Sequence, residues 1–253
     1  MNKKTLIIIL IILLVATSGF FIYRNWLIKV FSDYQSQVNL SQITPEINDV
    51  LISEDNDKYE IDVKYPTFKG LPNSDSLNEF LGEKFQNNVN VFKADVDENS
   101  IEEVGVPSQL QIGYEVVFFT SNAVSVRFNT LYYVAGMAHP NAYYESLNYD
   151  FNNGKEILIS DLFNLGSDYL AELSNISRDT LKKQIEVDYY FDDFVIPGTE
   201  AVEENFTVFN FDKEKLMITF NPYQVGPWAL GAQFVEIPFS QLQGFNAQND
   251  FLK

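Results

Sequence analysis

The sequence predicts an α+β fold: a mainly antiparallel sheet covered by two helices and preceded by one N-terminal transmembrane helix. Three observations carry that expectation. Several stretches alternate apolar and polar residues with the period of half-buried strands, two others place apolar residues three and four apart, and residues 5–23 hold no charge. With 253 residues, 46% hydrophobic and 15% aromatic, the chain can bury a sizeable core.

Residues 5–23, TLIIILIILLVATSGFFIY, follow Lys3 and Lys4. As a helix they span roughly 28 Å, at about 1.5 Å per residue, close to the hydrocarbon thickness of a bilayer. The expected order is a cytoplasmic tail over 1–4, an anchor over 5–23 and a stalk over 24–57, with Arg24, Trp26 and Lys29 at the outer interface. The chain is then a single-pass protein of the cell membrane with its C-terminal domain extracytoplasmic. Small residues at Val15-Ala-Thr-Ser18 also allow the alternative, secretion after signal-peptide cleavage, although apolar character continues through Ile22. In the stalk, Pro45 and the acidic run 54–57 interrupt any long pattern, and Ile43, Ile47, Val50 and Leu51 suit one short amphipathic turn.

A small strand–helix domain is expected over 58–106. Tyr59, Ile61, Val63 and Tyr65 alternate with charged residues, Pro66 and the 70–73 turn end the strand, and Ser74 or Asp75 caps a helix striped by Leu77, Phe80, Leu81, Phe85, Val89 and Phe92. Asp95, Asp97 and Asn99 match three calcium-loop positions. Ser100 stands where the loop glycine belongs and Val106 where the bidentate glutamate belongs, so a solvated acidic loop without metal is expected.

The main domain is expected over 107–245, with 246–253 as a tail. Leu110, Ile112, Tyr114, Val116 and Phe118 alternate in one strand, and Val124, Val126 and Phe128 in the next. The segment Gly136-Met-Ala-His-Pro140 bends the chain into a third strand over 143–151, and Asn152-Asn-Gly154 turns it towards a fourth over 156–159. A second helix is expected over 167–187, an irregular crossing over 188–197, and strands over 206–211, 216–220 and 234–237.

Composition narrows function. The formal net charge is −18; beyond residue 30 the remaining 13 Lys and Arg face 35 Asp and Glu, a balance of −22. Nucleic acid is excluded as a partner because phosphate binding needs clustered cations. No cysteine is present, so disulfides and thiolate chemistry are absent. His139 is the lone histidine, and no nucleophile elbow, phosphate loop or dinucleotide fingerprint accompanies it. No enzyme activity and no cofactor is therefore expected. Paired carboxylates could still serve a wall hydrolase, since sequence does not place them.

Ala135-Gly-Met-Ala-His-Pro-Asn141, Leu147-Asn-Tyr-Asp-Phe151, Asn153-Gly154 and Ile159-Ser-Asp-Leu-Phe163 occur in that order, followed by Tyr223-Gln-Val-Gly-Pro-Trp-Ala-Leu-Gly231 and Val235-Glu-Ile-Pro-Phe239. The series resembles a bacterial extracytoplasmic pair of domains of unknown function, found in the anti-sigma-V factor that binds lysozyme and ahead of the catalytic domain of a peptidoglycan deacetylase. Ala135 and Met137 depart from its Gly-Gly-Ala-His-Pro pattern. The resemblance implies a membrane-anchored binding module of the cell envelope, its partner a cell-wall glycan or a cationic protein such as lysozyme. The alternatives are a carboxylate-dependent wall hydrolase and a structural subunit of an envelope assembly. Ligand contacts are assigned to His139, Asn141, Tyr143, Tyr223 and Trp228. Structural roles are assigned to Gly136, Pro140, Asp150, Gly154, Asp161, Gly226, Pro227 and Gly231.

Overall fold

The computed structural model describes residues 44–101, 105–185 and 192–253. The expected tail, anchor and first part of the stalk lie outside the described residues. Among those described, no helix is long and apolar enough to cross a membrane.

Six strands form one sheet in chain order: β1 (Glu46–Asp55), β2 (Tyr59–Lys69), β3 (Ser108–Phe119), β4 (Ala123–Tyr133), β5 (Asn141–Asp150) and β6 (Lys155–Glu156). All neighbours are antiparallel except β2 and β3, which run parallel because the helix α1 (Ser74–Asn99) carries the chain back between them. A smaller antiparallel sheet holds β7 (Phe209–Phe211), β8 (Lys215–Phe220) and β9 (Gln233–Pro238). Two further helices, α2 (Tyr169–Gln184) and α3 (Asp192–Gly198), precede it in the chain. The α+β class and the mainly antiparallel main sheet agree with expectation; the helices number three rather than two among the described residues.

Strand alternation sends successive residues to two separate cores. Phe119 and Val124 pack with the α1 stripe, whereas their neighbours Phe118 and Ala123 pack with the second sheet and α2. On the α1 side, Leu77, Leu81, Phe85, Val89, Phe92 and Val96 are all buried, with the Phe85 ring 4.8 Å from Tyr65 and 5.0 Å from Phe128. Ion pairs flank the helix on both sides, Lys84 with Glu145 of β5 at 2.7 Å and Lys93 with Glu54 of β1 at 2.6 Å. The second core rests on β7 to β9. A polar seam joins it to the main sheet: the amides of Asn148 and Asn210 donate to the Phe209 carbonyl and the Ser125 hydroxyl, each at 2.9 Å.

Several expectations need correction. Residues 46–55 are a ten-residue strand rather than irregular stalk, because Ile47, Val50 and Ile52 pack against the α1 core. The acidic loop is instead the last turn of α1 through Asn99: Val89, Phe92 and Val96 continue the stripe, and Asp95 receives a hydrogen bond from Tyr132. Phe80 leaves that stripe and is 53% exposed. No side chain caps α1; Asn73 precedes it at φ 54°, and the Ser74 hydroxyl donates to the Leu71 carbonyl. The expected crossing over 188–197 contains α3, the strand expected from Phe206 starts at Phe209 after a single 3-10 turn, and the strand expected over 156–159 shrinks to β6. The tail is not free, since Phe251 is buried with its ring 5.8 Å from Phe211. The expected boundary at 106/107 falls between two hydrogen-bonded strands of one sheet, and residues 44–253 form one compact unit.

Candidate functional site

The bend between β4 and β5 is shaped by one glycine. Met137 N–H donates to the Val134 carbonyl at 2.9 Å, and Gly136 takes φ 106° in that turn. A Cβ at Gly136 would lie 2.7 Å from the Ile101 side chain, so both conformation and space require glycine. Two more bonds fix the bend: Ile101 N–H donates to the Ala135 carbonyl at 2.8 Å, and the Ser108 hydroxyl accepts the Ala135 N–H at 2.9 Å. His139 is thereby carried to the side of the main sheet where the small sheet packs.

There it meets two residues from beyond β8. The His139 ring stacks on Trp228 with centroids 4.1 Å apart and 27° between planes. Its Nδ1 lies 3.0 Å from the Pro140 carbonyl oxygen, and its Nε2 lies 3.3 Å from the Tyr223 hydroxyl. A carbonyl only accepts, so this geometry puts a proton on Nδ1 and leaves Nε2 to pair with the Tyr223 hydroxyl. Tyr223 is 56% exposed and takes φ 71°. It occupies the third position of the turn Asn221-Pro-Tyr-Gln224, closed by Gln224 N–H to the Asn221 carbonyl at 3.0 Å. That position favours glycine or asparagine, so tyrosine there holds local strain.

Side chains clamp this turn. Asn221 accepts the Tyr144 N–H at 2.7 Å and donates to the Tyr144 carbonyl at 2.9 Å, so its amide acts as a short extra strand against β5. Gln224 donates to the carbonyls of Gly198 and Asn205. A Cβ at Gly198 would overlap the Gln224 carbonyl at 1.9 Å, so only glycine lets α3 end so close to the turn. Pro227 and Gly231 bracket the single 3-10 turn that carries Trp228, and Gly226 leaves room for Leu230.

Of the five residues assigned to ligand contact, His139, Tyr223 and Trp228 converge. Asn141 is exposed at the start of β5 and takes no part in that contact. Tyr143 stands on the opposite face with Glu145, beside α1; burial pushes its hydroxyl up from the usual tyrosine range, Glu145 adds to this and the Thr130 hydroxyl opposes it. Asp150 and Gly154 shape the turn after β5, where Asp150 accepts the Asn152 and Asn153 N–H groups at 2.9 and 3.0 Å and Gly154 takes φ 64°. Asp161 accepts the Leu158 N–H and so holds the 3-10 turn it belongs to. Beside His139, an open groove of about 380 Å³ is lined by Pro107, Gln109, Tyr133 and Met137. Sequence reasoning missed Asn221 and Arg127. The Arg127 guanidinium pairs with Glu115 at 2.6 Å and lies 5.3 Å from the Phe234 ring, which carries Tyr144 edge-on at 5.3 Å. Among the described residues, no group of three or more His, Cys, Asp or Glu is placed to hold a metal ion.

Comparison with known proteins divides the chain. Residues 52–142 match the family described as deacetylase PdaC, and residues 160–240 the family described as protein of unknown function DUF3298. The peptidoglycan-N-acetylmuramic acid deacetylase PdaC of Bacillus subtilis is 30% identical over 182 residues, 72% of this chain and 38% of that protein. The anti-sigma-V factor RsiV of Bacillus subtilis is 24% identical over 205 residues, 79% of this chain and 70% of that protein. Among solved structures, a DUF3298 family member from Bacteroides fragilis has a TM-score of 0.60 at 19% identity, covering 81% of this chain and 95% of that one. One from Pseudomonas aeruginosa has a TM-score of 0.54 at 13% identity, covering 83% and 95%. The two structures establish likeness of fold.

Proposed function

We propose, from the premise that the chain carries a deacetylase-PdaC domain followed by a DUF3298 domain, that it is an extracytoplasmic binding module of the bacterial cell envelope, tethered to the cell membrane by residues 5–23. The observation that carries the reading is the corner of His139, Tyr223 and Trp228. His139 meets there two residues of a distant turn, Tyr223 and Trp228, and the exposed Tyr223 is held in a strained conformation. Such strain persists where the surroundings enforce it, and it clusters at recognition sites. Both imidazole nitrogens are occupied, one by the carbonyl and one by the phenol, which suits a rigid contact surface better than proton transfer.

The favoured ligand is a cationic protein of the lysozyme kind. The balance of −22 beyond the N-terminal segment supports that choice, as does likeness to an anti-sigma factor. Likeness to a peptidoglycan deacetylase makes a wall glycan the second choice. Association with a cationic protein should weaken steeply as salt rises, whereas glycan binding should not. Calorimetry of the protein with lysozyme and with peptidoglycan fragments, at low and moderate salt, separates the two. Trp228→Ala should remove the heat in either case. No heat with either ligand overturns both choices, and new muropeptides or released acetate after incubation with wall would move the protein to the enzymatic reading.

A further inference from the structure

The outer edge of β1 is the least protected strand edge in the described molecule. It is ten residues long, contains no proline, glycine or lysine, and pairs with β2 in unbroken register. Natural sheets blunt such edges with prolines, bulges, lysines or short strands, and β1 uses none of these. Its mid-strand acids do not substitute for them. Asp49 is drawn to its own chain by Tyr114 at 2.5 Å and Lys64 at 2.9 Å, and Glu54 by Lys93 at 2.6 Å. Between them Leu51 is 64% exposed, and among the described residues no strand lies beyond it.

Hydrogen-bond alternation fixes which backbone groups of β1 point away from β2. Asn56 N–H donates to the Tyr59 carbonyl, and the Thr67 hydroxyl to the Asn48 carbonyl, so even-numbered residues of β1 turn their amides towards β2. Ile47, Asp49, Leu51, Ser53 and Asp55 therefore turn theirs outward. An added antiparallel strand must pair outward residues with outward residues. For two copies of β1 related by a two-fold axis through Leu51, this condition is met: Leu51 faces Leu51, Asp49 faces Ser53 and Ile47 faces Asp55. Between these, Val50 faces Ile52 and Asn48 faces Glu54. No acid faces an acid. Slipping the register by two residues one way sets Glu46 against Glu54, and the other way Asp49 against Asp55, and like charges directly opposite destabilise a sheet.

We propose that β1 is a homodimer interface, at which a second copy of this chain extends the sheet antiparallel across a two-fold axis at Leu51. The chain lacks cysteine, so a Leu51→Cys variant carries the sole thiol. Hydrogen-bonded partners in an antiparallel pair have Cα atoms about 5.5 Å apart, within disulfide reach. Mild oxidation of the full-length variant should give a linked dimer on a non-reducing gel. Ser53→Cys should not, because its two copies would lie four residues apart, about 13 Å along the strand. Leu51→Pro should abolish the dimer seen by sedimentation without disturbing the fold, since the lost N–H points outward and prolines are tolerated on edges. Raised salt should favour the dimer by screening two acidic bodies, the opposite trend from binding a cationic partner. Equal crosslinking of the two cysteine variants, or a full-length chain that sediments as a monomer at every concentration and salt, overturns the proposal. So does a monomer whose Leu51 amide is protected from exchange, which would put the chain's own N-terminal segment on the edge.

Discussion

Tyr223 shows how a single side chain can be kept at a cost to stability. A left-handed backbone costs an L-residue roughly 1–2 kcal/mol, and asparagine visits it more readily than tyrosine. Tyr223→Asn should hold or raise the melting temperature, because the turn around φ 71° is retained at less strain. The same variant should weaken ligand binding more than tenfold, about 1.4 kcal/mol, if the exposed phenol is part of the contact surface. A melt and a titration on one sample give both numbers, and an unchanged affinity would remove Tyr223 from the site. A second tyrosine reports at high pH. Burial, reinforced by the Glu203 carboxylate at 2.7 Å and opposed by Ser160, pushes the Tyr169 hydroxyl up to about 12. Unfolded tyrosine titrates near 10, so between about pH 10 and 12 the unfolded chain has lost a proton that the folded chain keeps, and stability falls as pH rises. Below that window its contribution is intact. Urea midpoints measured across it should fall less steeply in Tyr169→Phe, with a remainder from Tyr114 and Tyr132, whose hydroxyls are also pushed up by burial and carboxylate neighbours.

At the scale of elements, the strands with strict alternation were legible and the irregular ones were not. β2, β3 and β4 announce themselves because each buries one face against α1. β1 escaped because Ile47, Val50 and Ile52 are spaced three and then two apart, and because its hairpin turn is made of the residues that read as a breaker. The end of α1 escaped for the opposite reason: its acids sit on the solvent face of a stripe that continues to Val96. Asn221 had no signal at all, since an asparagine before a proline reads only as a turn. Its bidentate grip on Tyr144 closes part of the β5 edge that short β6, paired only with Tyr149 and Asp150, leaves uncovered. Asn221→Ala should cost about 1–3 kcal/mol by denaturant unfolding, the range for leaving a partner group unsatisfied, and should speed hydrogen exchange at the Tyr144 amide. An unchanged exchange rate would show that the clamp is dispensable.

At the scale of the whole molecule, His139 sits within its own bend with Nδ1 3.0 Å from the Pro140 carbonyl oxygen. The meeting of His139 with Trp228 was not legible, because it depends on how the second sheet packs on the first, which no local period encodes. The same packing bears on the domain boundary. Two domains divided at 106/107 would each keep a core, but the division severs the parallel pairing of Tyr59–Val63 with Ser108–Ile112 and takes α1 from Val124, Val126 and Phe128. The second sheet is tied in as well, through Ser125, Asn148 and the Ser146 hydroxyl, which accepts the Phe209 N–H at 3.2 Å. Residues 44–253 should therefore unfold as one cooperative body. In a Trp26→Phe background, Trp228 fluorescence reports the second sheet and far-ultraviolet circular dichroism the whole fold, and the two urea transitions should coincide. A fragment of residues 107–253 should not fold, because its β3 presents Leu110 and Ile112 to solvent with neither α1 nor β2 to cover them. Two separated transitions, or a folded fragment, would restore the two-domain division.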